Sequence, residues 1–269
     1  MQQVVVPRAP RIWTPPRREV LGCSPPPGIG YSFGVGGRAG KSTFDPATLQ
    51  LTGWWRASYS ASPWVGMASA GSSGANNLSE ATNPPASISA LGFTVADFDG
   101  TNDELTAADT LDTYAAAGAF SGWQLINVDA ISTDNAAVYN NDSTFGTKTS
   151  TYFGIFLKSG GGSPTVHAYL WDGGDKSVSA SIATGAWTLV QWKVDGTNIT
   201  IRVNGDAWQS SAAGNIQSLA GGVRLGGDRT PTEMYDGKIA ETGLIDAVLS
   251  DSDFANIKSY INTRYALAL

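Results

Sequence analysis

Apolar side chains recur at every second residue through most of this chain, and that spacing confines it to sheets. In "WTLVQWKVDGTNITIRVNG", residues 187–205, Val190, Trp192 and Val194 alternate with Gln191 and Lys193. "DGTN" then reverses the chain, and Ile199, Ile201 and Val203 alternate with Thr200, Arg202 and Asn204. The pattern predicts a hairpin with one apolar and one wet face. Further short runs, parted by turn clusters, predict strands within 49–57, 88–100, 103–108, 120–131, 136–141, 152–159, 165–173, 177–182, 222–228 and 237–249. Residues 71–85, "GSSGANNLSEATNPP", read as a long polar loop. One segment changes period: Phe254, Ile257, Ile261 and Tyr265 recur at helical spacing, Ser250 can cap them, and Asp253 stands where a capping box wants an acid. That helix should lay its apolar stripe on the sheets.

Composition supports an all-β body. Of 269 residues, 42% are apolar and nine are Trp, enough for a sizeable core, while only 15% are charged and 32 are Gly. Seven prolines between Pro7 and Pro27 exclude helix and interior strand there, since each fixes φ and removes a donor. Residues 1–43 therefore read as an extended anchoring arm and linker, and 44–269 as the folded domain. Charge divides the same way. Residues 1–41 hold six basic side chains against Glu19 alone, a charge of +5, which leaves eleven basic and twenty-two acidic residues, or −11, for the rest. A basic arm on an acidic body points to docking on an acidic protein surface, with Arg8, Arg11, Trp13, Arg17 and Arg18 as the anchoring residues. The acidic body argues against nucleic acid.

Several chemistries fail on spacing. In "GVGGRAGKST", residues 34–43, a phosphate loop ending at Gly40-Lys41-Ser42 needs its first glycine at position 35, which is Val35, and Pro-rich and Pro-interrupted flanks replace the required strand and helix. Pro46, just beyond, also stands against a helix there. Cys23 is the single cysteine, so no internal disulfide or cysteine metal cluster forms, and cytoplasmic assembly is expected. No run approaches a signal peptide or the ~20 apolar residues of a membrane span. His167, the one histidine, has no nucleophile motif beside it and reads as a hydrogen-bonded strand residue. Sugar recognition asks for an aromatic face beside amides or carboxylates. The candidates are Trp64, Trp171 with Asp172, Trp208, and the pair Asn140 and Asn141, each equally compatible with a loop tucked onto the sheets.

Taken in order, "LTGWWRAS", "FTVADFDGTNDEL", the 187–205 hairpin, "VRLGG" and "YDGKIAETGLIDAVLSDSDFANIKSYINTRY" resemble the concanavalin A-like lectin and laminin G superfamily, in the version found in bacterial and phage surface proteins. The resemblance covers about residues 45–269. It implies a two-sheet antiparallel jelly-roll sandwich with one short C-terminal helix. It places Glu241 within a strand as a buried hydrogen-bonding acid, and Trp55, Trp187 and Trp192 in the core. Some relatives hydrolyse polysaccharides with paired acids, but no ExDxxE run occurs, and Asp97 and Asp99 lead straight into a turn. The residues themselves call for no cofactor. Calcium, which laminin G-like domains hold at one rim, is the one that the resemblance admits, with Asp97, Asp99 and Asp103 as candidate ligands. The functional expectation is a non-enzymatic structural protein of a tailed-phage virion, either decorating the capsid or associated with the tail. It would assemble in the host cytoplasm in many copies and be held by the arm on capsid or tail subunits. A glycan-binding host adhesin is the first alternative and a polysaccharide hydrolase the second.

Overall fold

The computed structural model describes residues 44–67, 77–79, 82–107, 118–131, 136–141, 152–159, 164–171, 173–213, 223–227 and 233–269. The Pro/Arg arm, with Arg8, Arg11, Trp13, Arg17 and Arg18, lies outside them, as do the 34–43 glycine stretch, Cys23, most of the 71–85 loop and Asp172.

A short 3-10 helix, Pro46–Leu49, opens the described chain, with Asp45 accepting from the Ala47 N–H. Pro46 stands at its first turn, where no intrahelical donor is needed. The proline that argued against a helix thus begins one. Fourteen strands follow: β1 (Gly53–Arg56), β2 (Ala86–Ala90), β3 (Phe93–Asp99), β4 (Leu105–Ala107), β5 (Ala119–Ala130), β6 (Ala136–Asn140), β7 (Tyr152–Lys158), β8 (Thr165–Trp171), β9 (Asp175–Ser181), β10 (Trp187–Asp195), β11 (Asn198–Val203), β12 (Gln209–Ala212), β13 (Val223–Leu225) and β14 (Asp236–Ile245). Helix α1 (Asp251–Tyr265) ends the order.

The strands form two sheets. The eight-stranded sheet runs β12-β11-β10-β5-β14-β3-β2, with β1 paired to the second half of β14. The six-stranded sheet runs β4-β13-β6-β7-β8-β9, and the strand ladders in both are antiparallel. This is the expected all-β sandwich with its C-terminal helix. Aromatic side chains fill the space between the sheets. Tyr139 of β6 stacks on Trp192 of β10 at 5.5 Å, and Phe153 of β7 meets Phe120 of β5 edge-on at 4.9 Å. Trp192 also lies over its cross-strand partner Gly122, where a Cβ would collide with the indole and sit 2.9 Å from the Gly243 carbonyl oxygen. Glycine is there because the ring takes the volume.

The hairpin β10–β11 keeps the predicted register, Trp192 opposite Ile201, but its second face is not wet. Helix α1 covers that face. Phe254, Ile257, Ile261 and Tyr265 are buried in a second apolar cluster with Trp54, Val95, Trp123, Leu125, Leu189 and Ala240 of the eight-stranded sheet. The capping box forms: Ser250 Oγ accepts from the Asp253 N–H at 3.2 Å, and the Ser250 N–H donates to Asp253 Oδ2 at 3.1 Å. Polar residues on the covered face find partners in the helix. The Gln191 amide donates to the Phe254 carbonyl at 2.9 Å and accepts from Arg202 Nε at 2.8 Å. Glu241, fully buried, accepts from Trp54 Nε1 at 2.8 Å and from the Tyr265 hydroxyl at 2.7 Å, with Tyr260 at 3.4 Å and Arg264 Nε at 4.0 Å. Burial pushes the Glu241 carboxyl up from its ordinary value, against the opposing pull of those donors and of the Arg264 and Arg56 charges. Glu241 is the buried hydrogen-bonding acid that the resemblance implied.

Candidate functional site

Helix α1 covers the outer side of the eight-stranded sheet, whereas the outer side of the six-stranded sheet carries aromatic side chains of its own. Its character follows from strand parity. In β7, Phe153, Ile155 and Leu157 point into the sandwich core, which sends Tyr152, Gly154, Phe156 and Lys158 outward. In β8, Val166, Ala168 and Leu170 point inward, and Thr165, His167, Tyr169 and Trp171 outward. The antiparallel register sets these in rows: Tyr152 beside Trp171 and Asp175, Gly154 beside Tyr169 and Ser177, Phe156 beside His167 and Ser179.

Within the rows three rings form a triangle. Tyr152–Phe156, Tyr152–Tyr169 and Phe156–Tyr169 centroids are 6.0, 5.9 and 5.9 Å apart, and the two Tyr169 contacts are edge-on. Phe156 leans over Gly154, where any Cβ would meet its ring. Tyr152 and Phe156 are buried and form a floor, on which half-buried Tyr169 and Trp171 pack. Polar groups border the rings. The Tyr169 hydroxyl donates to Asp175 Oδ1, and Ser177 and Ser179 are exposed along β9. His167 Nε2 shares a 2.9 Å hydrogen bond with Thr165 Oγ1, and burial followed by the Lys158 charge holds the imidazole below its ordinary pKa. Its Nδ1 is buried without a partner among the described residues. Toward the far edge, buried Arg224 donates to Glu104 Oε2 at 2.7 Å. Tyr152 and Phe156 are themselves covered, so the rings this face can offer a polyhydroxylated ligand are half-buried Tyr169 and Trp171, whose surfaces can cover C–H groups while Asp175, Ser177 and Ser179 exchange hydrogen bonds with hydroxyls.

Of the sugar-binding candidates drawn from sequence, Trp171 is on this face and the others are apart from it or serve the fold. Trp64 is buried, donates from Nε1 to the Arg56 carbonyl at 3.1 Å and meets Tyr59 edge-on, so its faces are closed to a sugar. Asn140 donates to the Gly227 carbonyl at 2.7 Å, and Asn141 Oδ1 accepts from the Phe153 N–H at 2.7 Å; both are buried braces. Trp208 lies on the helix side, its Nε1 donating to Asp251 at 2.9 Å, its ring beneath Arg202 and against Phe254. Tyr152, Phe156, His167, Tyr169 and Asp175 were missed. The signal was available: Tyr152, Phe156, His167 and Tyr169 share the face of Trp171 across the 152–171 hairpin, and Asp175 joins them across the next turn.

The acidic rim does not fit calcium. Lys238 Nζ already sits between Asp97, at 3.4 Å, and Asp129, and those carboxylates outweigh burial to hold its ammonium above the ordinary value. Asp103 turns inward to accept from the Asp99 N–H at 2.9 Å, and burial raises its carboxyl, with Asp99 and Asp97 adding to the rise. Asp99 Oδ1 is taken by the N–H groups of Thr101 and Asn102. Among the described residues no group of three or more His, Cys, Asp or Glu is arranged to hold a metal ion.

No family model matches the chain, and no curated protein matches it. Solved structures do. Trypanosoma rangeli sialidase in complex with the inhibitor DANA matches over 81% of this chain and 35% of its own, with TM-score 0.56 and 12% identity. The binding domain of Botulinum Neurotoxin DC in complex with SialylT matches over 77% and 50%, with TM-score 0.54 and 10% identity. Domain 4 of AbnA, an extracellular arabinanase of Geobacillus stearothermophilus, in complex with arabinotriose, matches over 65% and 82%, with TM-score 0.48 and 17% identity. The chain spans about a third of the sialidase and half of the toxin chain. At these identities the likeness is one of fold, a β-sandwich. It corrects the expectation of a non-enzymatic protein: a sandwich alike in fold is part of a sialidase chain, so this fold gives no ground for excluding an enzyme.

Proposed function

We propose that the chain recognises glycans through the outer face of its six-stranded sheet. Half-buried Tyr169 and Trp171, propped on buried Tyr152 and Phe156 and bordered by exposed Asp175, Ser177 and Ser179, carry the reading. Tyr152 and Phe156 support those two rings on the side of the sheet opposite the sandwich core. The fold neighbours lend support, since one is a sialidase in complex with an inhibitor and another a toxin binding domain in complex with SialylT. A glycan array probed with the full chain tests it. Binding that falls at least tenfold in Trp171→Ala and Tyr169→Ala, with thermal unfolding little changed, is the expected result. Absence of binding across the array, or binding indifferent to both substitutions, overturns it.

A second observation, the charge division of +5 over residues 1–41 against −11 over the remainder, favours a role for the arm. We propose that residues 1–43 anchor the sandwich on capsid or tail proteins of a phage virion, with Arg8, Arg11, Arg17 and Arg18 pairing with carboxylates. Deleting residues 1–41 should abolish co-sedimentation with particles. Unchanged co-sedimentation would remove the proposal.

A further inference from the structure

We infer that the aromatic face takes a neutral glycan in preference to a sialylated or otherwise anionic one; this rests on the glycan-recognition reading above. An acidic sugar is held by a cation, best by a guanidinium whose donors match a carboxylate in pairs. Among the described residues, the guanidinium on this face is already committed. Arg224, 3% exposed, donates to Glu104 at 2.7 Å, so an incoming carboxylate would have to displace a partner from a buried site.

Among the described residues, no lysine of these strands stands on the face at its Trp171 end. Lys158 stands in the row of Thr165 and Ser181, next to the Phe156–His167 row, and six residues of strand separate its row from that of Trp171 by roughly 20 Å. Lys176 is paired across from Leu170 and shares its parity, which is that of the sandwich interior. His167, held below its ordinary pKa by burial and by Lys158, adds no charge at neutral pH.

What the face does present beside Trp171 is negative. Asp175 is exposed, lies directly across from Trp171, and takes the Tyr169 hydroxyl on Oδ1. Its second oxygen is an acceptor suited to the paired hydroxyls of a neutral sugar, and its charge repels a carboxylate brought onto the same rings. Ser177 and Ser179, exposed in the next rows, extend the same hydroxyl-matching border. Charge and hydrogen-bond type therefore select the same ligand class.

The test compares immobilised lactose, cellotriose and arabinotriose with 3′-sialyllactose, using the full chain and its Asp175→Asn variant. At least one neutral probe should bind ten times or more tightly than sialyllactose, and Asp175→Asn should narrow that gap at unchanged thermal stability. Sialyllactose binding as well as, or better than, every neutral probe overturns this inference and leaves the glycan reading standing. Silence toward all four probes, together with silence across the wider array, overturns the glycan reading and this inference with it. A gap that Asp175→Asn does not narrow also overturns it, because the carboxylate would not be the selecting group.

Discussion

Truncating Glu241 to alanine should loosen the helix from the sheet. The carboxylate is fully buried between β14 and α1 and accepts from Trp54 Nε1 at 2.8 Å and from the Tyr265 hydroxyl at 2.7 Å. Removing it strands two buried donors, at about 1–3 kcal/mol each, and leaves a void. A total loss of about 3–5 kcal/mol is expected, as for one partner taken from a buried charged network. For a domain of this size that lowers the melting temperature by roughly 10 °C. Glu241→Gln keeps an acceptor for Trp54 and deletes a charge that burial disfavours, so its cost should stay below about 1 kcal/mol. The pH dependence separates the two forms further. Because the folded-state pKa of Glu241 is raised, the native chain binds a proton that the unfolded chain has released in the window between the unfolded value, about 4.3, and the folded one. Parent stability relative to Glu241→Gln should therefore rise as pH falls through that window and be flat above it. Scanning calorimetry on both variants from pH 4 to 8 reads all of this. An alanine variant melting within 2 °C of the parent, or a parent advantage that grows with pH, would refute the reasoning.

Other outcomes follow from the same geometry. Gly122→Ala drives a Cβ into the Trp192 indole and against the Gly243 carbonyl, and should cost about 3 kcal/mol in chemical denaturation. Ser250→Ala removes the cap of α1 at about 1 kcal/mol, read as a small fall in melting temperature with the sandwich intact. Lys238→Met leaves Asp97 and Asp129 without their shared cation, so the melting temperature should fall by a degree or so in low salt and less in high salt, about the worth of a part-exposed ion pair; an unchanged melting temperature in low salt would discard that account.

Strand parity made most of the sandwich legible. The hairpin β10–β11 keeps its predicted register, and the Ser250–Asp253 box and its helical stripe behave as read. Where the reading failed, the cause was local. Residues 88–100 form two strands because Leu91 and Gly92 both take positive φ in a tight turn, and Leu-Gly carries no turn signature. Strand β12, "QSSA", has no apolar alternation and is held by pairing with β11 alone. The wet face of β10 is covered because Gln191 donates to the Phe254 carbonyl of α1, 63 residues on, and nothing in its spacing announces that partner. Site residues fared worst. Conspicuous tryptophans drew attention to Trp64 and Trp208, which are fastened by their own indole N–H groups, whereas the rings that share a face are tyrosine and phenylalanine on two strands, joined only through register.

Helix α1 gives the molecule a back. Ala255, Asn256, Ser259 and Thr263 are exposed on the side away from both sheets, while the rings around Tyr169 occupy the front. A bead, dye or surface linked through Ser259 would leave the Tyr169–Trp171 side pointing outward in every copy. Copies of the sandwich fixed through helix α1 would all present the same Tyr169–Trp171 patch to whatever approaches.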